Sequence, residues 1–441
     1  MSRHYKMQTE QTEQKNYTVE DLKSRSFIEK NMGNVIKKTD EEGDISTFSY
    51  IKCTDKDPEY VQNARGLVFN GDELVVRAYP FSCEYTVEDA ETVRELISSE
   101  NELSRCRIFK SFEGCLIRVF NISGKWFVST HRKLNASNSK WSSHESYGEM
   151  FEDAIKFQYS EDPEFQERLG VVGDGESVLE AFQKTLDTAL VYVFLVSNRK
   201  ENRIVCDVPE KPSVLHVGTF SSPGSDIDLT TSIGIPFPEK VTFHSVDALL
   251  EAVDRVDYTC FQGFVVFMPN GTVFKLLNSD YKYLYGIRGN QASVKFRYLQ
   301  VRMNRQEREA LVYLYPEVRD TIEDYEDIIY KICGYMKNLY VDRFIKKNYY
   351  QMPKHEFIFL KQCHSWHREN PKENRITLKH VQQFLNEQTP STINYMIRQF
   401  LTTESANKPQ QTEPRKSPFR KNNNRRVINP SKKGTPPKNE N

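Results

Sequence analysis

The chain has 441 residues, with 61 Lys and Arg against 61 Asp and Glu, 38% apolar residues and 12% aromatic residues. This length and composition predict a soluble globular protein of two or three domains with a substantial buried core. No apolar run approaches the roughly 18–20 residues that cross a bilayer, and the first residues lack the apolar stretch of a secretory signal. These features argue against a membrane partner and favour an intracellular location, in the cytoplasm or the nucleus.

The first 44 residues are predicted to form a partly disordered N-terminal segment. From residue 45 to about residue 292, short β-branched and aromatic runs alternate with turn signals. Three hairpin turns are predicted there, at Asn70-Gly71, Ser123-Gly124 and Asn270-Gly271. Three helices are predicted as well, over residues 145–159, 177–186 and about 246–253. This alternation predicts an α+β domain in which helices pack against antiparallel sheets.

The pattern changes after this domain. Between residues 305 and 401, Leu, Ile, Tyr and Phe recur at helical spacing with few strand-like runs. An all-α C-terminal domain is therefore predicted over residues 293–401. Within it, His364 and His367 have no further ligand at metal-binding spacing, so a surface pair is a better interpretation than a zinc site.

The last forty residues form a basic tail. From Thr402 to Asn441 there are 10 Lys and Arg against 3 Asp and Glu, a charge of +7 that balances −7 in the rest of the chain. The tail is rich in Pro and Asn and poor in apolar residues, so residues 402–441 are predicted to be disordered. Such an arm suits nucleic-acid phosphates or an import receptor, and a solvated tail without a specific partner is the alternative.

The cysteines indicate a reducing compartment. Most of the eight cysteines stand alone within apolar stretches. None of them forms a CxxC pair or has the spacing of a zinc finger. We therefore expect core thiols rather than disulfides or structural zinc.

Four segments of the α+β domain follow one another in an informative order. They are Asn63-Ala-Arg-Gly-Leu-Val-Phe with Arg77-Ala-Tyr-Pro-Phe, then Phe109-Lys-Ser-Phe-Glu-Gly-Cys-Leu-Ile, then Tyr192-Val-Phe-Leu-Val with Asn202-Arg-Ile-Val, and finally Phe261-Gln-Gly-Phe-Val-Val with Phe274-Lys-Leu-Leu-Asn-Ser-Asp-Tyr. Their order and hairpin context resemble the motifs of ATP-dependent RNA ligases, especially the phage-type RNA ligase 1 family of covalent nucleotidyltransferases.

This resemblance implies a nucleotidyltransferase domain with ATP-grasp-like antiparallel sheets and helices. It also implies ATP and Mg²⁺ or Mn²⁺ as cofactors and RNA ends as partners. In that family a lysine in a Lys-x-Asp-Gly motif attacks the α-phosphate of ATP, AMP passes to an RNA 5′-phosphate, and a 3′-hydroxyl displaces it. The chemistry needs a neutral amine, cations around the phosphoryl oxygens and a metal held by carboxylates.

Lys110 is the catalytic candidate, with Glu113 and Gly114 as the acidic-Gly pair that the resemblance assigns to nucleotide binding. That pair lies three and four residues beyond Lys110, whereas the family has it two and three beyond. An ungapped alignment places Ser111 at the nucleophile position. Because a slip of one residue turns a strand side chain to the opposite face, Lys110 reaches the pocket only if a bulge absorbs the extra residue. The alternative is an exposed lysine or one at the pocket rim.

Two further motifs bear on nucleotide binding. The resemblance assigns Arg65 to the nucleotide phosphate or the leaving group, and Gly66 would allow close backbone approach; a surface arginine before a buried strand is the alternative. In the third motif Val193 or Phe194 stands where the family has a glutamate. Phe194 is a candidate for stacking on a purine, against the alternative of an ordinary core residue.

The last motifs carry fewer charged residues than the corresponding motifs of the family. Gln262-Gly263 replaces the usual Glu-Gly, and Gln262 is the candidate metal ligand, although Mg²⁺ prefers carboxylates. Lys275 keeps one cation of the family's Lys-x-Lys pair, with Leu277 in place of the other and Lys282 as an unaligned substitute.

A basic stretch follows the nucleophile hairpin, where the family also has one. Arg132, Lys133 and Lys140 are the RNA-binding candidates, and a solvated loop is the alternative.

Two functional hypotheses follow. The first is a working RNA ligase that joins 3′-hydroxyl and 5′-phosphate ends in RNA repair. The second is a ligase fold that has lost catalysis and serves as a nucleotide- or RNA-binding module. DNA ligases and mRNA capping enzymes usually carry a β-rich OB-fold after the last motif, whereas this chain continues with helices, which favours resemblance to RNA ligases.

Overall fold

The computed structural model describes residues 17–407, apart from residue 198, residues 222–226 and residue 350, with side chains up to Thr403. The chain divides after Glu326 into two compact units, Met1–Glu326 and Asp327–Asn441. The predicted basic tail lies outside the described residues from residue 408 onward. Among the described residues, no helix is long and apolar enough to cross a membrane.

The first unit combines three sheets with short helices. Its strands are β1 (Ile36–Glu42), β2 (Ile45–Tyr50), β3 (Leu67–Asn70), β4 (Glu73–Val76), β5 (Cys83–Tyr85), β6 (Arg107–Ser111), β7 (Cys115–Ile122), β8 (Lys125–Ser129), β9 (Leu190–Val196), β10 (Val214–Ser221), β11 (Lys240–Val241), β12 (Gly263–Phe267) and β13 (Val273–Leu277). Its helices are α1 (Arg25–Asn31), α2 (Glu59–Asn63), α3 (Ala90–Leu96), α4 (Glu100–Arg105), α5 (Tyr147–Glu161), α6 (Pro163–Leu169), α7 (Val178–Lys184), α8 (Val246–Asp254), α9 (Ser279–Arg288), α10 (Val294–Val301) and α11 (Arg305–Leu314).

The strands form a first sheet in the order β1-β2-β3-β4, a second in the order β10-β9-β7-β8 and a third in the order β11-β6-β12-β13-β5. All neighbouring strands are antiparallel except β13 and β5. The three predicted hairpin turns join β3 to β4, β7 to β8 and β12 to β13. Gly71, Gly124 and Gly271 occupy these turns with positive φ, the conformation that glycine adopts without a steric penalty.

In the described part of the chain, four cores lie on the faces of these sheets, and one of them packs the first sheet against α1. The central core joins side chains from all three sheets, including Val68, Phe109, Phe120 and Val193. A helix-side core packs the second sheet against α5, α6 and α7, and an outer core packs the third sheet against α3 and α8. Because side chains alternate along a strand, neighbouring residues of β6 and β9 belong to different cores.

One strand lies in a segment predicted to be partly disordered. β1 falls within the first 44 residues and pairs with β2 as an edge strand. Its sequence, IKKTDEE, buries only Ile36 fully, so it lacks the apolar alternation by which a strand is predicted from sequence.

The second unit is helical. The long helix α12 (Arg319–Tyr340) begins before the division at Glu326 and leads into a π-helical turn at Val341–Ile345, followed by α13 (Lys354–Glu369), α14 (Leu378–Asn386) and α15 (Pro390–Asn407). The helix α15 continues beyond Leu401, where the sequence predicted the tail to begin. The predicted α+β class, with antiparallel sheets, packed helices and a helical C-terminal region, is confirmed. All eight cysteines are free thiols; Cys206, Cys333 and Cys363 are buried as expected of core thiols, whereas Cys260 is exposed and the other four are half-buried.

Candidate nucleotide site

The strand β6 carries the predicted nucleophile segment and pairs with β12 in unbroken antiparallel register along its length. Phe109 packs into the central core, whereas Ile108 packs into the outer core. By strand alternation, Ser111 lies on the side of Phe109 and Lys110 lies on the side of Ile108. The bulge that would turn Lys110 toward the central core is absent from this pairing.

Lys110 is engaged by a carboxylate. Its Nζ lies 2.6 Å from Oε2 of Glu239 and 5.1 Å from the centroid of the Phe261 ring, and its side chain is 27% exposed. The carbonyl of Glu239 accepts a hydrogen bond from the Lys110 amide at 3.0 Å, which fixes the two residues side by side. Lys110 is thus an ion-paired lysine on the outer side of its strand.

Glu113 and Gly114 join three parts of the first unit. The half-buried Glu113 carboxylate accepts a 2.9 Å hydrogen bond from the Val205 amide and another from the Tyr281 hydroxyl. Burial raises the pKa of Glu113 above its usual range despite these hydrogen bonds. A Cβ at Gly114 would lie 2.4 Å from the Val196 carbonyl oxygen, so glycine allows this loop to approach β9. Both residues have structural roles here.

The third motif turns one apolar residue to each side of β9. Val193 lies in the central core, where the family has a carboxylate. Phe194 is fully buried in the helix-side core, with its ring centroid 5.1 Å from that of Phe151 and 6.0 Å from that of Phe182. This packing leaves Phe194 no exposed face on which a purine would stack.

Gln262 and Gly263 hold β12 against its neighbours. The buried Gln262 donates from Nε2 to the Phe112 carbonyl at 2.6 Å, in the loop that carries Glu113. A Cβ at Gly263 would lie 2.2 Å from the Leu276 carbonyl oxygen. The amide of Gln262 is therefore used as a donor inside the protein.

These residues do not fit the metal ion that the resemblance implies. The carboxylate position of the third motif is apolar, and Gln262 offers an amide without charge. Among the described residues, no three His, Cys, Asp or Glu side chains are grouped so that they would hold a metal ion.

Lys275 lies on β13 with its Nζ 3.7 Å from Oε1 of Glu84. Lys282 donates to the backbone carbonyl of Glu84 at 2.9 Å. Leu277, at the second cation position, is buried. Both lysines that the sequence singled out on the last motif thus contact one glutamate.

Arg65 lies in a cluster of basic side chains that have no carboxylate partner among the described residues. Its Nε is buried without a hydrogen bond, and so is Nε of the fully buried Arg118. Arg118 donates to two backbone carbonyls, those of Gly66 and Thr130. Burial, and then the charge of Arg65, lower the pKa of Arg118 to about 9. We call Arg65, Arg118 and His131 the arginine cluster.

His131 is kept neutral within the arginine cluster. Burial is the largest cause, and Arg65, Arg118 and Arg132 add to it, lowering the pKa of His131 to about 3. Gly66 is required at this point because its φ is 61° and a Cβ would lie 3.0 Å from Cα of His131. The close approach that the sequence predicted for Gly66 is therefore toward the backbone at His131.

The three predicted RNA-binding residues lie on the segment after β8. Arg132 and Lys140 are exposed. Lys133 is 3.5 Å from Asp40, whose other carboxylate oxygen accepts the Leu134 amide at 3.0 Å. The segment is thus tied to β1 while Arg132 and Lys140 remain open to solvent.

A cleft of about 240 Å³ lies beside the nucleophile segment. Its wall includes Phe112, Glu113, Leu195, Cys206, Phe237 and Glu239. A groove of about 900 Å³ adjoins it, since Ser197 and the segment 207–209 line both. Glu239 lines the cleft and is the ion-pair partner of Lys110, which is not itself one of the lining residues.

Sequence reasoning missed Arg118, His131 and Glu239. An arginine inside the otherwise apolar run CLIRVF was a usable signal for Arg118, because a buried strand arginine needs a special environment. Glu239 gave no signal, since 129 residues separate it from Lys110.

No family model matches this chain. It is 26% identical over 400 residues to the immediate-early protein ICP-46 homolog of Invertebrate iridescent virus 6, covering 86% of each protein. It is also 26% identical over 359 residues to the protein of the same name from Invertebrate iridescent virus 3, covering 78% of this chain and 74% of that protein.

Solved structures with a loose likeness to this chain include ligases. An archaeal ATP-dependent RNA ligase aligns with a TM-score of 0.41 at 13% identity, over 69% of this chain and 79% of that one. A chain of Aquifex aeolicus assigned to the ATP-dependent DNA ligases gives 0.41 at 12% identity, over 69% and 80%. A Naegleria gruberi RNA ligase variant with ATP and Mn gives 0.27 at 11% identity, over 44% and 56%. At TM-scores of 0.27–0.41 and identities of 11–13%, these likenesses assign no role to any residue of this chain.

Proposed function

We propose that this chain binds a nucleotide or a 5′-phosphorylated RNA end without forming a lysyl–AMP, as a ligase-like fold that has lost covalent catalysis. The unbroken register of β6 carries this proposal. It directs Ser111 toward the central core and Lys110 away from it. A serine cannot form the phosphoramide bond to AMP that the family's lysine forms, and Lys110 is paired with Glu239.

The other residues that would take part in nucleotidyl transfer also argue against a lysyl–AMP. Charge that builds on phosphoryl oxygens needs cations and a metal ion close by. Val193 and Leu277 are buried and apolar, and the amide of Gln262 is bonded to a backbone carbonyl. Covalent transfer would therefore lack both the metal ligands and the second cation.

The arginine cluster supports phosphate binding. A buried guanidinium with a free Nε and no carboxylate beside it is costly unless an anion completes its hydrogen bonds. Among the described residues, the charged group that shifts the pKa of Arg118 is another arginine, Arg65. A phosphate supplies the missing negative charge and several acceptors, and it favours arginine over lysine as its donor.

A second candidate is ATP-dependent joining of RNA ends through lysyl–AMP on Lys110, with Mg²⁺ or Mn²⁺. One observation favours it. Glu239 lines the cleft, so the rearrangement of a single ion pair would bring the Lys110 amine to the cleft wall. The biological role would then be RNA repair.

Covalent labelling separates the two candidates. The full-length chain is incubated with α-labelled ATP and Mg²⁺ or Mn²⁺, then run on a denaturing gel, as wild type, Lys110→Ala and Glu239→Gln. An active RNA ligase serves as the positive control, and circular dichroism verifies folding. We expect no label on any of the three proteins.

Two outcomes would overturn the proposal. Acid-labile label on the wild type that disappears in Lys110→Ala would establish lysyl–AMP formation on Lys110 and contradict the proposal. Absence of binding to AMP, ATP and 5′-phosphorylated RNA, measured by calorimetry on the same preparations, would remove the binding function.

A further inference from the structure

The second unit has a surface whose chemistry the proposed function does not use. Between residues 327 and 407 there are 12 Lys and Arg against 7 Asp and Glu, whereas residues 1–326 have 39 against 52. The excess is concentrated in residues 341–361, with five Lys and Arg against two Asp and Glu. Phosphate backbones bind such local positive charge with little regard to sequence.

The backbone departs twice from helical geometry within this stretch. After α12 the chain makes a π-helical turn over Val341–Ile345, and Lys347 then has a φ of 61°. Among the described residues, only Ser123 and Lys347 are non-glycine residues with positive φ. Ser123 belongs to a hairpin turn that requires it, but Lys347 does not. Such features cost free energy and cluster at functional sites.

Hydrogen bonds fix this unusual turn. The Lys346 amide donates to the Val341 carbonyl at 2.9 Å, and the Asn348 amide donates to the Asp342 carbonyl at 2.9 Å. The turn directs Lys346, Lys347 and Tyr349 outward, and all three are exposed. A constrained turn that presents two lysines and a tyrosine loses little entropy on binding.

Aromatic rings alternate with cations beside the turn. The Arg343 guanidinium lies 5.5 Å from the centroid of the Tyr349 ring and 4.7 Å from that of Phe357. The Lys361 ammonium lies 5.6 Å from the Phe357 centroid. Tyr349 is 73% exposed, so its ring is open to a further partner while Arg343 supports it. We call Arg343, Lys346, Lys347, Tyr349 and Lys361 the turn patch.

The two acidic residues of the stretch do little to cancel the charge of the turn patch. Asp342 is 2.9 Å from Lys346 and neutralises that lysine in part. Glu356 is buried, and burial raises its pKa, which favours the uncharged acid.

We propose that the turn patch binds single-stranded RNA, with a base stacked on Tyr349 and the neighbouring phosphates on the lysines and Arg343. Exposed aromatic rings among cations are the arrangement by which proteins hold single strands without reading sequence. An acidic peptide would use the lysines but would give no role to an exposed ring supported by arginine. This site is independent of the cleft and does not require nucleotidyl transfer.

The test uses the full-length chain and a fluorescein-labelled single-stranded RNA of twelve uridines, with fluorescence anisotropy as the readout. Tyr349→Ala should weaken binding at least about fivefold, because stacking contributes about 1–3 kcal/mol per base. Tyr349→Phe should stay within about twofold of wild type, since it keeps the ring. Lys346→Ala with Lys347→Ala should reduce the salt slope by about 1.4, the value for two phosphate contacts on a single strand.

A charge-matched control comes from the same unit. Lys372→Ala with Lys379→Ala removes two exposed lysines outside the turn patch and should leave binding within about twofold. An equal loss of RNA affinity in the two double-lysine variants would mean that RNA is attracted by diffuse charge. That result would overturn the proposed site. The same conclusion would follow if Tyr349→Ala bound as tightly as wild type. Competition by a polyglutamate peptide as strong as that by unlabelled RNA would replace RNA with an acidic protein partner.

Failure of the turn patch to bind RNA can be distinguished from failure of the proposed nucleotide binding. Loss of RNA binding in the turn variants with unchanged AMP binding affects this site alone. Loss of AMP binding with intact RNA binding affects only the cleft and the arginine cluster.

Discussion

Two polar regions of the first unit differ in whether their charged groups have partners inside the protein. Around the nucleophile segment, Lys110 is paired with Glu239, and Glu113 accepts hydrogen bonds from the Val205 amide and Tyr281. In the arginine cluster, the buried Nε atoms of Arg65 and Arg118 lack hydrogen bonds, and these two like charges lie beside a neutral His131.

This difference separates structural polar groups from groups that suit a ligand. A buried polar group that is satisfied internally contributes to folding and has little left to offer a substrate. A buried group left unsatisfied costs free energy, which a bound anion would recover. On the proposed function, the second, third and fourth ligase-like segments would act chiefly as a framework, and Arg65, which lies in the first segment, would supply the binding capacity together with its neighbours.

The largest expected effect is on the free energy of unfolding, and it is expected for substitution of Gly114. If the nucleophile loop is a framework, Gly114→Ala should reduce the free energy of unfolding by about 3 kcal/mol, because its Cβ would meet the Val196 carbonyl at 2.4 Å. Gly286→Ala on α9 is the control, since nothing lies within 4 Å of the added Cβ. That variant should be neutral or more stable by about 0.5–1 kcal/mol. Urea unfolding followed by circular dichroism measures both, and equal stability would contradict the framework.

A smaller effect is expected in the pH dependence of stability. The pKa of Glu113 is raised in the folded protein, so folding favours its protonated form, and this contribution is lost as the pH rises above about 4.5. Glu113→Gln keeps an acceptor for the Val205 amide and removes the titration. The stability of the variant relative to wild type should therefore increase from pH 4.5 toward pH 7.5, as measured by urea unfolding. A difference that does not change with pH would mean that Glu113 titrates normally.

The smallest effect is expected at Lys275. Its contact with Glu84 spans 3.7 Å between side chains that are 31% and 42% exposed, so Lys275→Ala should change the free energy of unfolding by less than about 0.5 kcal/mol. AMP affinity should stay within about twofold of wild type in calorimetry. A tenfold loss of AMP affinity would show that Lys275 contacts the phosphate, as in the ligase hypothesis.

The sequence predicted local features of the fold well. Gly71, Gly124 and Gly271 marked hairpin turns because their positions require positive φ, which is a local property. The strand β1 was missed because an edge strand with six polar residues out of seven carries no alternation.

The site was predictable only where local periodicity sufficed. Strand alternation alone indicated that Lys110 and Ser111 face opposite sides, and the unbroken pairing of β6 with β12 leaves them so. Both faces of the β9 sequence are apolar, so alternation did not reveal which face packs against the helices. The sequence therefore left undecided whether Phe194 is a core residue or faces a ligand. The partners Glu239 and Val205 lie 129 and 92 residues from Lys110 and Glu113, and only tertiary folding brings them together.

The central claim is tested most directly by AMP affinity in a matched pair of variants. Arg65→Ala and Lys110→Ala each remove one partly buried cation, the first from the arginine cluster and the second from the nucleophile segment. Isothermal titration of the full-length proteins with AMP should show affinity at least about tenfold weaker in Arg65→Ala, because a charge-assisted hydrogen bond contributes about 1.5–3 kcal/mol. Lys110→Ala should remain within about twofold of wild type. Loss of affinity in Lys110→Ala with retention in Arg65→Ala would contradict the account.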